Sequence, residues 1–155
     1  MDLEKLSDNE VDELIDEAKH FFESFTLSIP LGKFNEDHIV LGESSNLKYV
    51  WHGYRGRLDT KYSLHIRFKQ NNAHLVRLCI NGTRHHNYDG TIVEGNHIHL
   101  YRYVNNSIVS YAYPLDDYIF NSNDELENAI EKFLQFVHIR TDKNDTSRQA
   151  LNWLH

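Results

Sequence analysis

Apolar positions recur at helical spacing through the first segment of the chain: Val11, Leu14, Ile15, Ala18, Phe21, Phe22 and Phe25. The positions between them are mostly carboxylates, so one face of the predicted helix is greasy and the other acidic. Ser7 and Glu10 stand three residues apart just ahead of the stripe, in the spacing of a capping box. This pattern predicts an acidic helix within residues 1–28.

After Pro30 the period shortens to two. The segments "HIVLG", "LKYVWHGYRGRL", "YSLHIRFKQ", "HLVRLCING" and "HIHLYRY" are short and rich in β-branched and aromatic residues, as half-buried strands are. In "YSLHIRFK", Tyr62, Leu64, Ile66 and Phe68 share one face, and Ser63, His65, Arg67 and Lys69 the other. In the next strand Val76, Leu78 and Ile80 turn to the core while Arg77 and Cys79 turn away. "QNNA" at 70–73 and Asn105-Asn106 read as hairpin turns. Helical spacing returns with Leu126, Ala129, Ile130, Phe133, Leu134 and Val137, behind a second capping-box pattern, Ser122 with Glu125. Asp145 is placed to cap a last short helix, "TSRQALNWLH". The expectation is one α+β domain over 1–155: an N-terminal helix, an antiparallel sheet of five or six strands across 38–113, and C-terminal helices within 122–155.

Charge sharpens the division. The net charge is −7, and residues 1–23 carry all of it, with nine acids against Lys5 and Lys19. Residues 47–84 hold eight basic residues and one acid, Asp59. An acidic helix therefore precedes a basic β region, a pattern that suits polyanion binding, a charged protein partner, or mutual neutralisation. The single cysteine, Cys79, excludes an internal disulfide and reads as a small strand residue. An acidic N-terminus and the lack of any apolar run near the roughly 20 residues of a membrane span predict a cytoplasmic protein.

The candidate chemistry lies in "RHHNYDGTIVEGNHIHLY", residues 84–101, within a His-rich loop over 81–99. His97 and His99 are two apart in a strand and project from one face, with Ile98 and Leu100 anchoring the other. The strand ending at Ile80 is the expected partner, which brings the long connection back beside His97. His85 or His86, with Asp89 as an oxygen ligand, then completes a nitrogen-rich set of the kind that suits zinc. Two other readings stay open. Paired imidazoles near Arg77, Arg84 or Arg102 have the makings of a metal-independent ribonuclease. Solvated histidines around an Asn-Tyr-Asp-Gly turn would serve no chemistry at all. His65 and His74 are expected to be solvated, and His20 and His138 to lie in helices. His52, amid Trp51, Tyr54 and Arg55, belongs to a mix that can bind nucleic acid but more often packs in a core.

From about Leu75 onward the chain resembles a small family of uncharacterised proteins from Gram-positive bacteria and their phages. The residues that carry the resemblance are Gly82, then His85, Asn87, Asp89 and Gly90, then His97, His99 and Tyr101, followed by "YAYPLDD" and "ENAIEKFLQFVHI". Thr83-Arg84 and Tyr88 stand where that family tends to have prolines. The resemblance singles out His85 over His86 and so narrows the histidine ligands to His85, His97 and His99, beside Asp89 as the oxygen ligand that the residues themselves offer. Some members are similar to inhibitors of type II CRISPR nucleases. The resemblance thus implies an anti-CRISPR protein of the bacterial host cytoplasm that binds Cas9 ribonucleoprotein, its metal being structural. The alternative is a toxin-like, histidine-dependent nuclease acting on RNA.

Overall fold

A computed structural model describes residues 1–25, 27–57, 60–141 and the backbone of 153–154. Helix α1 spans Asp8–Asp16, and its capping box forms as the sequence predicts: Glu10 N–H donates to Ser7 Oγ, and Ser7 N–H to Glu10 Oε1. Val11, Leu14 and Ile15 are buried, while Asp8, Asp12, Glu13 and Asp16 face outward.

The helix is shorter than its apolar spacing suggests. Glu17 turns extended, and its carboxylate accepts from Ser45 N–H, Ser45 Oγ and Tyr49 Oη at 2.6–2.9 Å. Lys19, wholly buried, donates its ammonium to the carbonyls of Ile15, Glu17 and Val137. These tertiary bonds outweigh the local helical preference, and Lys19–Phe21 becomes strand β1. His20 is therefore in a strand, and Phe22 is exposed rather than part of a helical stripe.

The strands then follow in order: β2 (Leu27–Ser28), β3 (Phe34–Gly42), β4 (Lys48–Arg55), β5 (Tyr62–Phe68) and β6 (His74–Ile80). After these come β7 (His85–His86), β8 (Ile92–Val93), β9 (His97–Val104) and β10 (Ser107–Pro114). A 3-10 turn at Leu115–Asp117, helix α2 (Leu126–Phe136), β11 (Ile139–Arg140) and β12 (Trp153–Leu154) complete the chain. The main sheet has eight strands, ordered β10-β9-β6-β5-β4-β3-β1-β11, rather than five or six. The two additions, β1 and β11, are parallel to each other at one edge and too short for a period-2 signal. Every other neighbour in that sheet is antiparallel. Asn72, Asn105 and Asn106 take positive φ (52–63°) at the two expected hairpin turns.

One core joins both helices to one face of this sheet, with Trp51, Leu64, Ile66, Phe68, Leu78, Ile98 and Phe133 at its centre. Helix α2 starts at Leu126 without the expected Ser122–Glu125 box: Glu125 is the N-cap and its side chain makes no cap bond. Asp124 accepts from Asn121 N–H instead. His138 follows α2 with φ of 61°, outside the helix. Most of the last predicted helix, with Asp145, lies outside the described residues; Trp153–Leu154 pair in parallel with Leu27–Ser28 as a strand. Among the described residues no helix is long and apolar enough to cross a membrane.

Candidate metal centre

Strand parity builds the site. Strand β6 pairs with β9 as expected, setting Cys79 opposite His97 and Arg77 opposite His99. Paired residues point to the same side, so all four project from the face that the helices leave open. Ile98 and Leu100 anchor β9 in the core, also as expected. Cys79, His97 and His99 each offer one ligand atom, and these atoms lie within 4.8 Å of one another, close enough to hold a metal ion. Atoms sharing one zinc sit roughly 3.5 Å apart, so closure asks for a contraction of about an ångström. Cys79 is a correction to the sequence reading: it is a potential ligand, not merely a small strand residue.

The imidazoles are oriented for the task. His97 Nδ1 donates to the carbonyl of Gly95 at 2.8 Å, and His99 Nδ1 to that of Ser110 at 3.3 Å. Each bond fixes the tautomer and leaves the Nε2 lone pair for an ion, the arrangement metal-ligating histidines usually show. Both side chains are about 5% exposed. Burial lowers the His99 pKa to about 4, with the Ser110 carbonyl opposing the shift, so the ring is neutral at physiological pH. Burial pushes the Cys79 thiol up, while the Arg77 guanidinium beside it pulls the other way.

The connection after β6 folds back as a hairpin of β7 and β8, His85 opposite Val93. The ring of His85 sits 4.7 Å from that of His99 and 5.8 Å from that of His97. The ring of His85 is thus a neighbour of both, but among the described residues the ligand atoms within 4.8 Å of one another are those of Cys79, His97 and His99, without His85; His86, next in the strand, is exposed. Asp89 does not join them: its carboxylate accepts from Thr91 N–H, Thr91 Oγ1 and Tyr111 Oη at 2.6–3.0 Å, on the exposed turn. Asp89 shapes the hairpin rather than joining the cluster. Asn87 docks it. Its buried amide donates to the Ala112 carbonyl and accepts from the Ala112 N–H, both at 2.9 Å, satisfying the outer edge of β10.

A second histidine group lies on the same open face. One cross-strand row runs Asp37, His52, His65, Arg77, His99 across β3, β4, β5, β6 and β9. His52 stacks on His65 at 4.9 Å, and His65 on His74 at 4.1 Å. His65 and His74 are thus half-buried and stacked rather than solvated. Their nitrogens are engaged differently: His52 Nδ1 donates to Asp37 Oδ1 at 2.5 Å, and Arg67 Nη1 donates to His65 Nε2 at 2.8 Å. Trp51 is core, as expected, and Tyr54 is exposed. Of the arginines proposed to hold phosphate, Arg84 pairs with Glu94 and Arg102 with Tyr113 and Asp8. Arg77 alone adjoins the cluster.

Among curated proteins and among solved structures nothing matches the chain. Residues 6–139 match a family described as a family of unknown function, DUF6978, which includes α1, the sheet from β1 to β10, and α2, and the chain belongs to that family.

Proposed function

We propose that this chain is a binding protein whose hairpin is pinned by a structural zinc ion, held by Cys79, His97, His99 and His85. The observation that carries the reading is the convergence of one thiol and two imidazoles with their Nδ1 atoms already committed to carbonyls. Imidazole nitrogen and thiolate sulfur are both ligands zinc takes in tetrahedral geometry, and four protein ligands leave no position for a reactive water. The ion would tie β6, β9 and the β7–β8 hairpin together and contribute folding free energy. Elemental analysis of untagged protein tests this: about one zinc per chain in wild type and none in Cys79→Ser supports it, and none in wild type after zinc addition refutes it.

For the partner, we propose a protein with a basic surface, engaged through the exposed acids of α1, Asp8, Asp12, Glu13 and Asp16. A Cas9-type effector fits that chemistry, since its channels are positively charged, and it is the partner the sequence resemblance implies. Purified Cas9 ribonucleoprotein that neither forms a complex with the chain nor loses cleavage activity in its presence would remove that partner. A hydrolytic reading stands second, because Arg77 flanks the cluster. If His85 stays off the ion, a bound water would take the fourth position and act on a phosphodiester. Zinc-dependent cleavage of RNA, abolished in Cys79→Ser, would move this reading ahead.

A further inference from the structure

We propose that the open face carries a phosphate-binding site next to the metal cluster, centred on Arg77. At the ends of β4, β5 and β6 lies a cavity of about 270 Å³, lined among others by Tyr54, Lys61, Ser63, Arg77, Cys79 and Gly82. It borders the cluster through Cys79 but does not require an ion there.

Among the described residues Arg77 differs from five other arginines, which have carboxylate or carbonyl partners. Arg67 faces Asp37, Arg84 faces Glu94, Arg102 faces Asp8 and Arg140 faces Glu43. Arg55 is spent on the carbonyls of Gly32 and Pro30. Arg77 is half-buried, and its neighbours are His65 and His99 across the strands and the Cys79 thiol. No carboxylate of the described residues pairs with it. A half-buried guanidinium surrounded by neutral and basic groups lacks the compensation such charges normally have. An anion entering from the cavity supplies it.

The rest of the lining fits the same ligand. Ser63 and Tyr54 bring hydroxyls, and the lining residues include no carboxylate. The planar fork of an arginine matches phosphate oxygens two at a time. The acids of α1 belong to the other side of the sheet, where the helix packs into the core. The volume suits a phosphate with a modest substituent, and Tyr54, 43% exposed at the rim, offers a ring beside it. The chemical class is therefore a phosphate with at most one substituent, from the inorganic ion to a mononucleotide.

The test is an amide NMR titration with inorganic phosphate and, separately, adenosine monophosphate, on zinc-loaded and on chelator-treated protein. The expected result is saturable shifts at Ser63, Arg77, Cys79 and Gly82 in both forms, with Kd on the order of 1 mM or tighter. Arg77→Gln is expected to weaken binding about tenfold or more, and Arg77→Lys to fall between, since it keeps the charge and loses the fork. Should Arg77→Gln fail to fold, Arg77→Lys alone decides. Tighter binding of the nucleotide assigns a role to the Tyr54 ring, and equal binding assigns the bare phosphate. No saturable shift at these residues, or arginine variants that bind as wild type does, overturns the proposal. Binding that needs zinc and survives Arg77→Gln would put the phosphate on the ion and overturn it too.

Discussion

Two histidine groups share one face of one sheet on neighbouring strands, and the fold treats them in opposite ways. Around β6 and β9 the rings of His97 and His99 meet nearly edge-on, 76° between planes, with Nδ1 bound to backbone and the Nε2 lone pair left free of it. Across β4, β5 and the start of β6 the rings of His52, His65 and His74 lie nearly flat on one another, within 18–28° of parallel. There Asp37 holds Nδ1 of His52 and Arg67 holds Nε2 of His65. Three imidazoles close together are thus not a metal site in themselves. What separates the groups is where the lone pairs point, and that is set by which partner holds the other nitrogen.

The largest expected effect comes from breaking the convergent group. In His97→Ala/His99→Ala, zinc stoichiometry falls to zero. If zinc binds as proposed, its contribution to stability, about 4 kcal/mol at a thousandfold excess over Kd, is lost with it. For a chain of this length that is roughly 10 °C in Tm. His65→Ala, the matching change in the stacked group, is expected to leave zinc content unchanged. Thermal melts with and without zinc, beside elemental analysis of both variants, check the contrast. Equal zinc loss in both would erase the distinction.

Asn87→Ala sharpens it from the hairpin side. The substitution removes both bonds to Ala112 and leaves that backbone pair on the β10 edge without its partner, at about 1–3 kcal/mol. If His85 is a ligand, the undocked hairpin also loosens zinc, and affinity drops about 10- to 100-fold, as for other supporting residues of metal sites. Competition with a chromogenic chelator measures it. A loss of stability with unchanged zinc affinity would remove His85 from the ligand set.

Much of this was legible in the sequence where local pattern and long-range pairing agreed. The alternation in "YSLHIRFK" and "HLVRLCI" gives the correct faces of β5 and β6. The parity of His97 and His99 with Ile98 and Leu100 gives the orientation of β9. Cys79 was within reach by the same logic: it points away from the core on the strand expected to pair with β9, which sets it facing His97. Its isolation from any second cysteine hid it. The short edge strands were not legible, because the spacing of Phe21, Phe22 and Phe25 also fits a helix. The choice against helix is made by Glu17 and Lys19 bonding to residues as distant as Val137. Asp89 misled for a related reason. Its neighbours in sequence suggest a ligand, but Thr91 and Tyr111 claim its oxygens first.

The stacked group has its own signature in pH. Burial first, and then His74, His52 and two arginines, hold the His65 pKa far below the usual imidazole range. The unfolded chain therefore binds a proton below about pH 6.5 that the folded one does not, so stability falls as pH falls through that value. Metal-free wild type is expected to lose up to about 1–2 kcal/mol between pH 7 and pH 5 from this residue. His65→Gln keeps a polar side chain beside Arg67 without the titration. Its urea midpoints should decline less steeply over the same interval. Parallel slopes would mean that His65 is protonated freely in the folded state, as a solvated histidine would be.

The smallest effect separates the two groups by salt. Asp37 is more than half exposed, and it faces both His52 and, at 4.0 Å, Arg67. Asp37→Asn keeps the shape and deletes the charge, so the expected cost is about 0.5 kcal/mol at low salt. At about 1 M salt the cost should vanish, because the Debye length there is only about 3 Å. Zinc binding across the same sheet should not respond, since the convergent group is held by backbone carbonyls and is buried. If Asp37→Asn also shifts zinc affinity, the row from Asp37 through His52, His65 and Arg77 to His99 transmits charge from one group to the other. The two would then have to be read as a single site.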